Sequence, residues 1–397
     1  MNYIMAQNNS KSILLGVTGG IAAYKAAELV RLLVKSRHAV QVAMTEAATH
    51  FVGPATFQAL SGKPVLTKLW DGDNGNGMTH IDASRAVDVI LIAPASANFI
   101  AKLAHGLADD LLSTLCLARA CPLVVAPAMN KQMWDNPATQ RNLAQLRQDG
   151  IALFEPASGA QACGEIGMGR MQEAESLLIH LEALFQPKCL AGQRVLVTAG
   201  PTYEAIDPVR GITNLSSGKM GYAVARAAWE AGAEVVLVSG PTALAAPTQV
   251  RTLQVTSAQE MYETVMHEIA PMSIFISVAA VADYRVAQTA QQKIKKTDTA
   301  STLSLTPNPD ILAQVAALPN APFCVGFAAE TEHLAIHASA KRERKNIPLI
   351  VANRAQDALG QDESALILID AAGQHALPRA DKLLLARQLI AHISEML

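Results

Sequence analysis

The sequence predicts an α/β protein built from two open, parallel-sheet domains, and three observations carry that expectation. Short aliphatic runs of strand length recur along the chain, and amphipathic stretches of helix length separate them. Half of the residues are hydrophobic, yet only 4% are aromatic and 17% charged, the composition of Val-, Ile- and Leu-rich strands covered on both faces. At 397 residues the chain is also too long for one ordinary domain.

The first run, Ile13 to Val17, leads into Gly19-Gly20 and then a helical pattern that groups Ile21, Leu29, Leu32 and Leu33 on one face. Further strands are expected at 39–44 ("AVQVAM"), 87–94 ("VDVILIAP") and within 122–130 ("PLVVAPAMN"). The pattern restarts near residue 194, where "RVLVTAGPT" reads as strand and turn, "GKMGYAVARAAWEAGA" as helix and "EVVLVSGP" as the next strand. "SIFISVAAVADY", "CVGFAAET" and "LIVAN" continue the series. Strands alternating with helices imply right-handed crossovers and hence parallel pairing. Segment 184–193, with Pro187 and Gly192, is the expected linker.

Composition also narrows the function. A net charge of −2 gives no support for a nucleic-acid surface. The five cysteines form no C-x-x-C pair, which argues against a zinc ribbon or a disulfide framework. The polar opening "MNYIMAQNNSK" lacks a signal-peptide core, and no run approaches the ~20 apolar residues of a membrane span. A soluble, cytoplasmic protein without membrane partners is expected.

In open parallel sheets, ligands bind beyond the carboxyl ends of the strands. "TGG", "MTEA", "APASAN" and "APAMN" stand there in the first half, and "TAGPT", "SGP", "VAAVAD" and "GFAAE" in the second. Gly19 and Gly20 would turn free N–H groups toward a phosphate, with plain turn glycines as the alternative. A nicotinamide site is disfavoured: the spacing is not G-x-G-x-x-G, and neither second strand ends in the ribose-binding acid. Cys163 lies in "ASGAQACGEIGMGRM" among four glycines with little bulky company, a setting that hints at chemistry. Cys116, Cys121, Cys189 and Cys324 are expected to pack. "KIKK" (Lys293, Lys295, Lys296) and "KRERK" (341–345) concentrate cations in the second half; a solvated basic face is the alternative reading, retained for Arg342 and Arg344.

"GVTGGIAAYK", "MTHI", "APASANFIAKLAHGLADDLLS", "PAMN" and "ACGEIGMGRM" closely resemble the homo-oligomeric flavin-containing cysteine decarboxylases. From residue 194 on, "VTAGPTYEAIDPVRGITNLSSGKMG", "AAVADY", "KIKK", "NPDI" and "GFAAET" resemble phosphopantothenate–cysteine ligase. The order is that of the bacterial fusion of both activities in coenzyme A biosynthesis, and the likeness runs from about Ser12 to the C-terminal helix. It implies a flavodoxin- or Rossmann-like FMN domain (1–188) for decarboxylation and a Rossmann-like nucleotide-binding domain (189–397) for CTP-dependent ligation.

For the first domain the resemblance implies oxidation of 4′-phosphopantothenoylcysteine to a thioaldehyde, loss of CO₂, and reduction of the enethiolate to 4′-phosphopantetheine. It assigns His80 as the base, Asn130 as the holder of the substrate carboxylate, and Cys163, on a glycine-hinged flap, as the donor of the final proton. A thiol with an ordinary pKa of ~8.5 is suited to that task. Gly19, Gly20, Thr45, Ser96 and Asn98 are the FMN contacts it implies; relatives often have Thr where Ser96 stands.

For the second domain it implies that 4′-phosphopantothenate attacks CTP, and that L-cysteine then displaces CMP from the acyl-cytidylate. Asn214 is implied at that intermediate and Lys293 as the catalytic lysine. Ala279, Ala280, Asp283, Pro309, Asp310, Ile311, Leu312, Phe327, Lys341 and Lys345 fall at nucleotide-site positions, with Mg²⁺ sharing the phosphate charge. Trimeric decarboxylase and dimeric ligase contacts are expected, up to a dodecamer. A nucleotide-dependent oxidoreductase and a non-catalytic flavin-fold regulator are the alternatives.

Overall fold

A computed structural model describes residues 10–69, 84–296, 301–330, 332–354 and 360–397. The chain divides into two compact units between Phe185 and Gln186. His80 lies outside the described residues.

In the first unit β1 (Ser12–Val17), β2 (Ala39–Met44), β3 (Val89–Ala95), β4 (Leu123–Pro127) and the two-residue β5 (Ala152–Leu153) form an all-parallel sheet, ordered β2-β1-β3-β4-β5. Every residue of β3 and β4 is buried, as continuous aliphatic runs require when both faces are covered. Each Leu, Ile or Val taken fully from water contributes about 1.5–3 kcal/mol. Helix α1 (Ala23–Lys35) lays Ala26, Leu29, Val30 and Leu33 against Ile13, Leu15 and Val17 on one face. Ile21, expected on that face, precedes the helix and is 65% exposed.

After β2 come the short α2 (Glu46–Thr49) and α3 (Pro54–Ser61). On the other face α4 (Ala97–His105), α5 (Leu111–Leu117), α6 (Lys131–Asp135) and α7 (Pro137–Gln148) supply Phe99, Leu112, Leu115, Trp134 and Leu143 over Leu14, Ile90 and Ile92. An antiparallel hairpin, β6 (Ala157–Ala160) and β7 (Ile166–Arg170), precedes α8 (Ala174–Leu184). The outer edge of β2 is covered at one end, where Leu66 N–H donates to Val42 O at 3.0 Å.

The second unit holds an eight-stranded sheet. β8 (Arg194–Ala199) is followed by the small β9 (Tyr203–Ala205) and β10 (Gly211–Thr213) pair, then α9 (Lys219–Glu230) and β11 (Glu234–Ser239). Next come β12 (Arg251–Gln254), α10 (Ala258–Glu268), β13 (Ile274–Ser277), and the β14 (Tyr284–Val286) and β15 (Leu305–Pro307) pair. α11 (Ile311–Ala316), β16 (Phe323–Glu330), α12 (Leu334–Lys345) and β17 (Leu349–Arg354) complete the parallel part. The hairpin of β18 (Glu363–Ile369) and β19 (Gln374–Asp381) then leads into α13 (Lys382–Met396).

The order is β12-β11-β8-β13-β16-β17-β18-β19. Strands β12 through β17 pair in parallel, as the sequence predicts; β18 and β19 add an antiparallel edge with a register shift between Ser364 and Leu366. Among the described residues, no helix is long and apolar enough to cross a membrane.

Candidate functional site

In the first sheet the chain order reverses between β1 and β3, so a crevice opens beyond their carboxyl ends. Thr18 fixes the two strand tips together. Its buried hydroxyl donates to Pro94 O at 2.8 Å and accepts from Ser96 N–H at 2.9 Å. Gly19-Gly20 before α1 and Ser96 before α4 thereby stand side by side. Gly19 has no room for a side chain, because a Cβ would meet that of Ala47 at 2.6 Å; Gly20 faces open space. Ser96 caps α4 by accepting from Phe99 N–H at 3.3 Å, and both helix N-termini carry the partial positive charge that favours an anion.

The crevice has a volume of about 630 Å³ and is bordered by Gly19, Gly20, Ser96, Asn130 and Cys163 together with Lys25, Met129 and Met171. Such a volume and a largely apolar wall suit a small-molecule cofactor. Lys25, 8% exposed, is a member that sequence reasoning missed. Its ammonium donates to Met171 O at 3.1 Å and to Glu173 at 2.7 Å. That hydrogen bond, against the opposing effect of burial, holds the Glu173 carboxyl below the usual range. Thr45 and Asn98 do not border the crevice: Thr45 caps α2 through Ala48 N–H, and Asn98 is exposed on α4.

Cys163 sits at the tip of the β6–β7 hairpin, and its thiol is exposed. The hairpin lies along α6. Met129 N–H donates to Gly169 O at 2.9 Å, and Lys131 N–H donates to the Gln161 side chain at 3.0 Å. Gly169 permits this approach, since a Cβ there would stand 2.4 Å from Met129 O, and its φ is +124°. Asn130 caps α6 with its oxygen and turns its amide to Glu165 Oε2 at 2.5 Å and Cys163 Sγ at 3.5 Å. Gln132 holds Glu165 Oε1 at 2.6 Å. Donation from Gln132 and then Asn130 keeps the Glu165 carboxyl below its ordinary pKa. The other thiols differ. Cys116 and Cys324 are buried, which pushes their pKa values up to about 12 and about 11. Cys121 is half-buried, whereas Cys189 is exposed, contrary to the packing expected of it, because it falls in the segment that joins the units.

The second sheet reverses between β8 and β13, and a cavity of about 250 Å³ lies there. Ala279, Ala280, Phe327 and Lys341 border it. So do Ser216, Ser217, Lys219 and Lys382, which the sequence reading did not nominate. Gly218, with φ +77°, begins α9 at this cavity. Lys219 pairs with Asp362 at 2.6 Å. Burial first, and then the neighbouring Lys219 charge, lower the pKa of Lys382. Three lysines and a helix N-terminus give the cavity groups of the kind that suit an anion. Asn214 borders it at one remove, donating to Ala280 O at 2.8 Å.

Other expected members lie apart. Lys341 donates to Phe327 O at 2.9 Å, while Lys345 reaches Asp310 at 2.7 Å, so the two lysines of one helix face hold different partners. Asp310 caps α11, Pro309 precedes it, and the Ile311 and Leu312 side chains are core. Asp283 is exposed, and its carbonyl accepts from Asn308 N–H at 2.8 Å. Lys293 is exposed and outside the cavity. Its neighbour Ile294 is held by Asp207 at 3.1 Å and Arg210 at 2.8 Å.

Two family models match this architecture: "Flavoprotein" over residues 4–185, and "DNA/pantothenate metabolism flavoprotein C-terminal domain" over residues 190–397. The class so defined is a flavoprotein joined to a pantothenate-metabolism domain. Within that class, the chain belongs to the family of coenzyme A biosynthesis bifunctional proteins CoaBC. It is 50% identical over 393 residues to the member from Vibrio cholerae and 48% identical to that from Vibrio vulnificus (strain CMCP6), each alignment covering 98% of both chains. The solved C-terminal domain of a coenzyme A biosynthesis bifunctional protein CoaBC is 40% identical, with a TM-score of 0.46; the match covers 53% of this chain and 97% of that one.

Proposed function

We propose that this bifunctional enzyme carries out two consecutive steps of coenzyme A biosynthesis. The second domain, 189–397, ligates L-cysteine to 4′-phosphopantothenate at the expense of CTP. The first, 1–188, converts 4′-phosphopantothenoylcysteine into CO₂ and 4′-phosphopantetheine. The observation that carries the reading is the convergence of Gly19, Ser96, Asn130 and Cys163 on one crevice at the sheet's switch point.

FMN fits that crevice. The Gly19-Gly20 turn and the N-termini of α1 and α4 suit its phosphate, and Met129 and Met171 offer an apolar bed for its ring. When bound, FMN supplies the two-electron oxidation that permits decarboxylation and the reduction that follows it. The chain's own groups do the rest. Asn130 orients the leaving carboxylate as a neutral donor, which avoids a strong ion pair that would oppose its loss. The Cys163 thiol gives a proton to the enethiolate carbon. His80 is the base for the initial oxidation.

In the ligase cavity Lys219, Lys341 and Lys382 face the triphosphate; Asn214, beside the cavity, and Lys293, from outside its described lining, act on the acyl-cytidylate. Mg²⁺ would share the charge of the CTP phosphates with these lysines. Ala279 and Ala280, which border the cavity, allow close approach of the base, with Phe327 beside them. A homo-oligomer is part of this reading, and exposed Tyr24 on α1 and Ile166 on β7, 61% and 76% accessible, offer apolar surface for contacts between copies of the first unit.

The test is incubation of the pure protein with 4′-phosphopantothenate, L-cysteine, CTP and Mg²⁺, followed by mass spectrometry. The ligated product and then its decarboxylated form are expected. Protein that is colourless and takes up no FMN when offered it would overturn the first half of the reading.

A further inference from the structure

At the far end of the β18–β19 hairpin, three side chains with metal-ligating atoms meet outside both cavities. Asp370 follows β18, His375 is the second residue of β19, and His392 lies in α13. Oδ2 of Asp370 accepts from Nε2 of His392 at 2.9 Å and from Nε2 of His375 at 3.1 Å, and all three atoms lie within 4.8 Å of one another. The two imidazole rings face each other at 4.8 Å, inclined by 53°.

We propose that Asp370, His375 and His392 form a binding site for a divalent transition-metal ion of the Zn²⁺ class. Two imidazole nitrogens and one carboxylate oxygen are a donor set that Zn²⁺ accepts, with bonds of about 2.0–2.2 Å. Bonds of that length at a tetrahedral angle put ligand atoms about 3.3–3.5 Å apart. The two N···O separations need open by only a few tenths of an ångström to admit the ion.

The carboxylate is already oriented for this. Its Oδ1 accepts from Ala372 N–H at 2.7 Å and Gly373 N–H at 3.0 Å, leaving Oδ2 directed at the imidazoles. Outer hydrogen bonds of this kind fix a ligand's geometry and strengthen its hold on the metal. The turn that provides them depends on Gly373, at φ +136°. The Asp370 and His392 side chains are 6% and 8% exposed and His375 is 21% exposed. One side of the cluster is thus open to admit an ion and to supply water as the fourth ligand.

The site would act as a clamp. Ser364 and Lys382, which border the ligase cavity, stand at the opposite ends of β18 and α13. Six residues of extended strand put the metal cluster about 20 Å from that cavity. An ion there ties the edge hairpin to the C-terminal helix. It is separate from the Mg²⁺ carried by the nucleotide.

The test uses the full-length protein, stripped by chelation and titrated with Zn²⁺ in competition with a chromophoric chelator of micromolar affinity. One ion per chain and an upward shift of the thermal transition are expected. Co²⁺ should give visible ligand-field bands without thiolate charge transfer, which separates this cluster from the exposed Cys163 and Cys189. His375→Gln, which keeps a donor toward Asp370, should weaken Zn²⁺ binding by about tenfold or more and remove the thermal shift. Wild-type protein that fails to compete for Zn²⁺ overturns the proposal whether or not the variant folds. A thiolate spectrum overturns it too, as does a His375→Gln variant that binds as tightly as wild type.

Discussion

The amide of Asn130 and the sulfur of Cys163 converge on a single oxygen of Glu165, at 2.5 and 3.5 Å, and lie 3.5 Å from each other. A carboxylate outside the proposed chemistry therefore sets the spacing between the group that orients the substrate and the group that protonates it. Glu165→Gln leaves one oxygen to accept from two amides, those of Asn130 and Gln132, and so breaks this arrangement. Decarboxylation should fall by about 10²-fold in kcat, the scale of a small misplacement, with ligation unchanged. Equal decarboxylation rates in single-turnover assays would show that Glu165 positions nothing.

Cys163→Ser keeps the size of the side chain but removes a proton donor of suitable acidity. Cysteine ligation should be unaffected, and decarboxylation should stall before the final reduction, losing about 10²–10⁴-fold in product formation. Mass spectrometry of quenched reactions should find the oxidised, decarboxylated intermediate accumulating. Normal 4′-phosphopantetheine output would remove Cys163 from the chemistry.

The two glycines of the first turn make different demands. Gly19→Ala drives a methyl group into Ala47 and should destabilise the first unit, whereas Gly20→Ala meets nothing within 4 Å. Gly20→Ala should therefore fold with stability within about 0.5 kcal/mol of the parent and still retain less flavin, read from visible absorbance after gel filtration. Full flavin content in Gly20→Ala would reduce the pair to turn residues.

Asp207 is anchored by Arg210 and by backbone N–H groups of Val209, Arg210 and Ile294. Hydrogen bonding to Arg210, against burial, lowers its pKa far beneath the usual carboxylate range. Its contribution to stability is complete above the unfolded value of 3.8 and disappears as the pH falls through the folded value. Wild-type denaturation midpoints should drop over that acid interval, and those of Asp207→Asn should drop less. Because Ile294 adjoins Lys293, Asp207→Asn should also slow ligation at neutral pH.

Thiol labelling offers a check on the cysteine environments. At neutral pH a maleimide should modify exposed Cys163 and Cys189 within minutes, while Cys116 and Cys324, buried and with pKa values of about 12 and about 11, should react only on unfolding. Peptide mapping of partially labelled protein distinguishes the sites.

Strands such as Val89–Ala95 and Leu123–Pro127 are legible in the sequence because burial on both faces demands an unbroken aliphatic run. The β18–β19 hairpin is not. Pro378 within β19 argues against a strand unless that strand lies at an edge. The β6–β7 hairpin is hidden for another reason: its glycines and alanines have little strand preference, and pairing plus contact with α6 holds them. Glu165, Lys25 and Lys219 are not legible in the sequence because their contacts arise from chain segments that meet only in the folded unit. The separation of Lys341 from Lys345 likewise follows from which loop each reaches, although their spacing puts them on one face.

The outermost strand of the eight-stranded sheet has a further consequence. Pro378 removes a donor from β19, and the irregularity between Ser364 and Leu366 skews its pairing with β18. At the opposite margin β12 is only four residues long, and β5 in the other sheet only two. Ribbons so short or so interrupted are poor templates for a foreign backbone. Crowded copies of the chain are thereby steered away from fibrous stacking and toward contacts made by side chains.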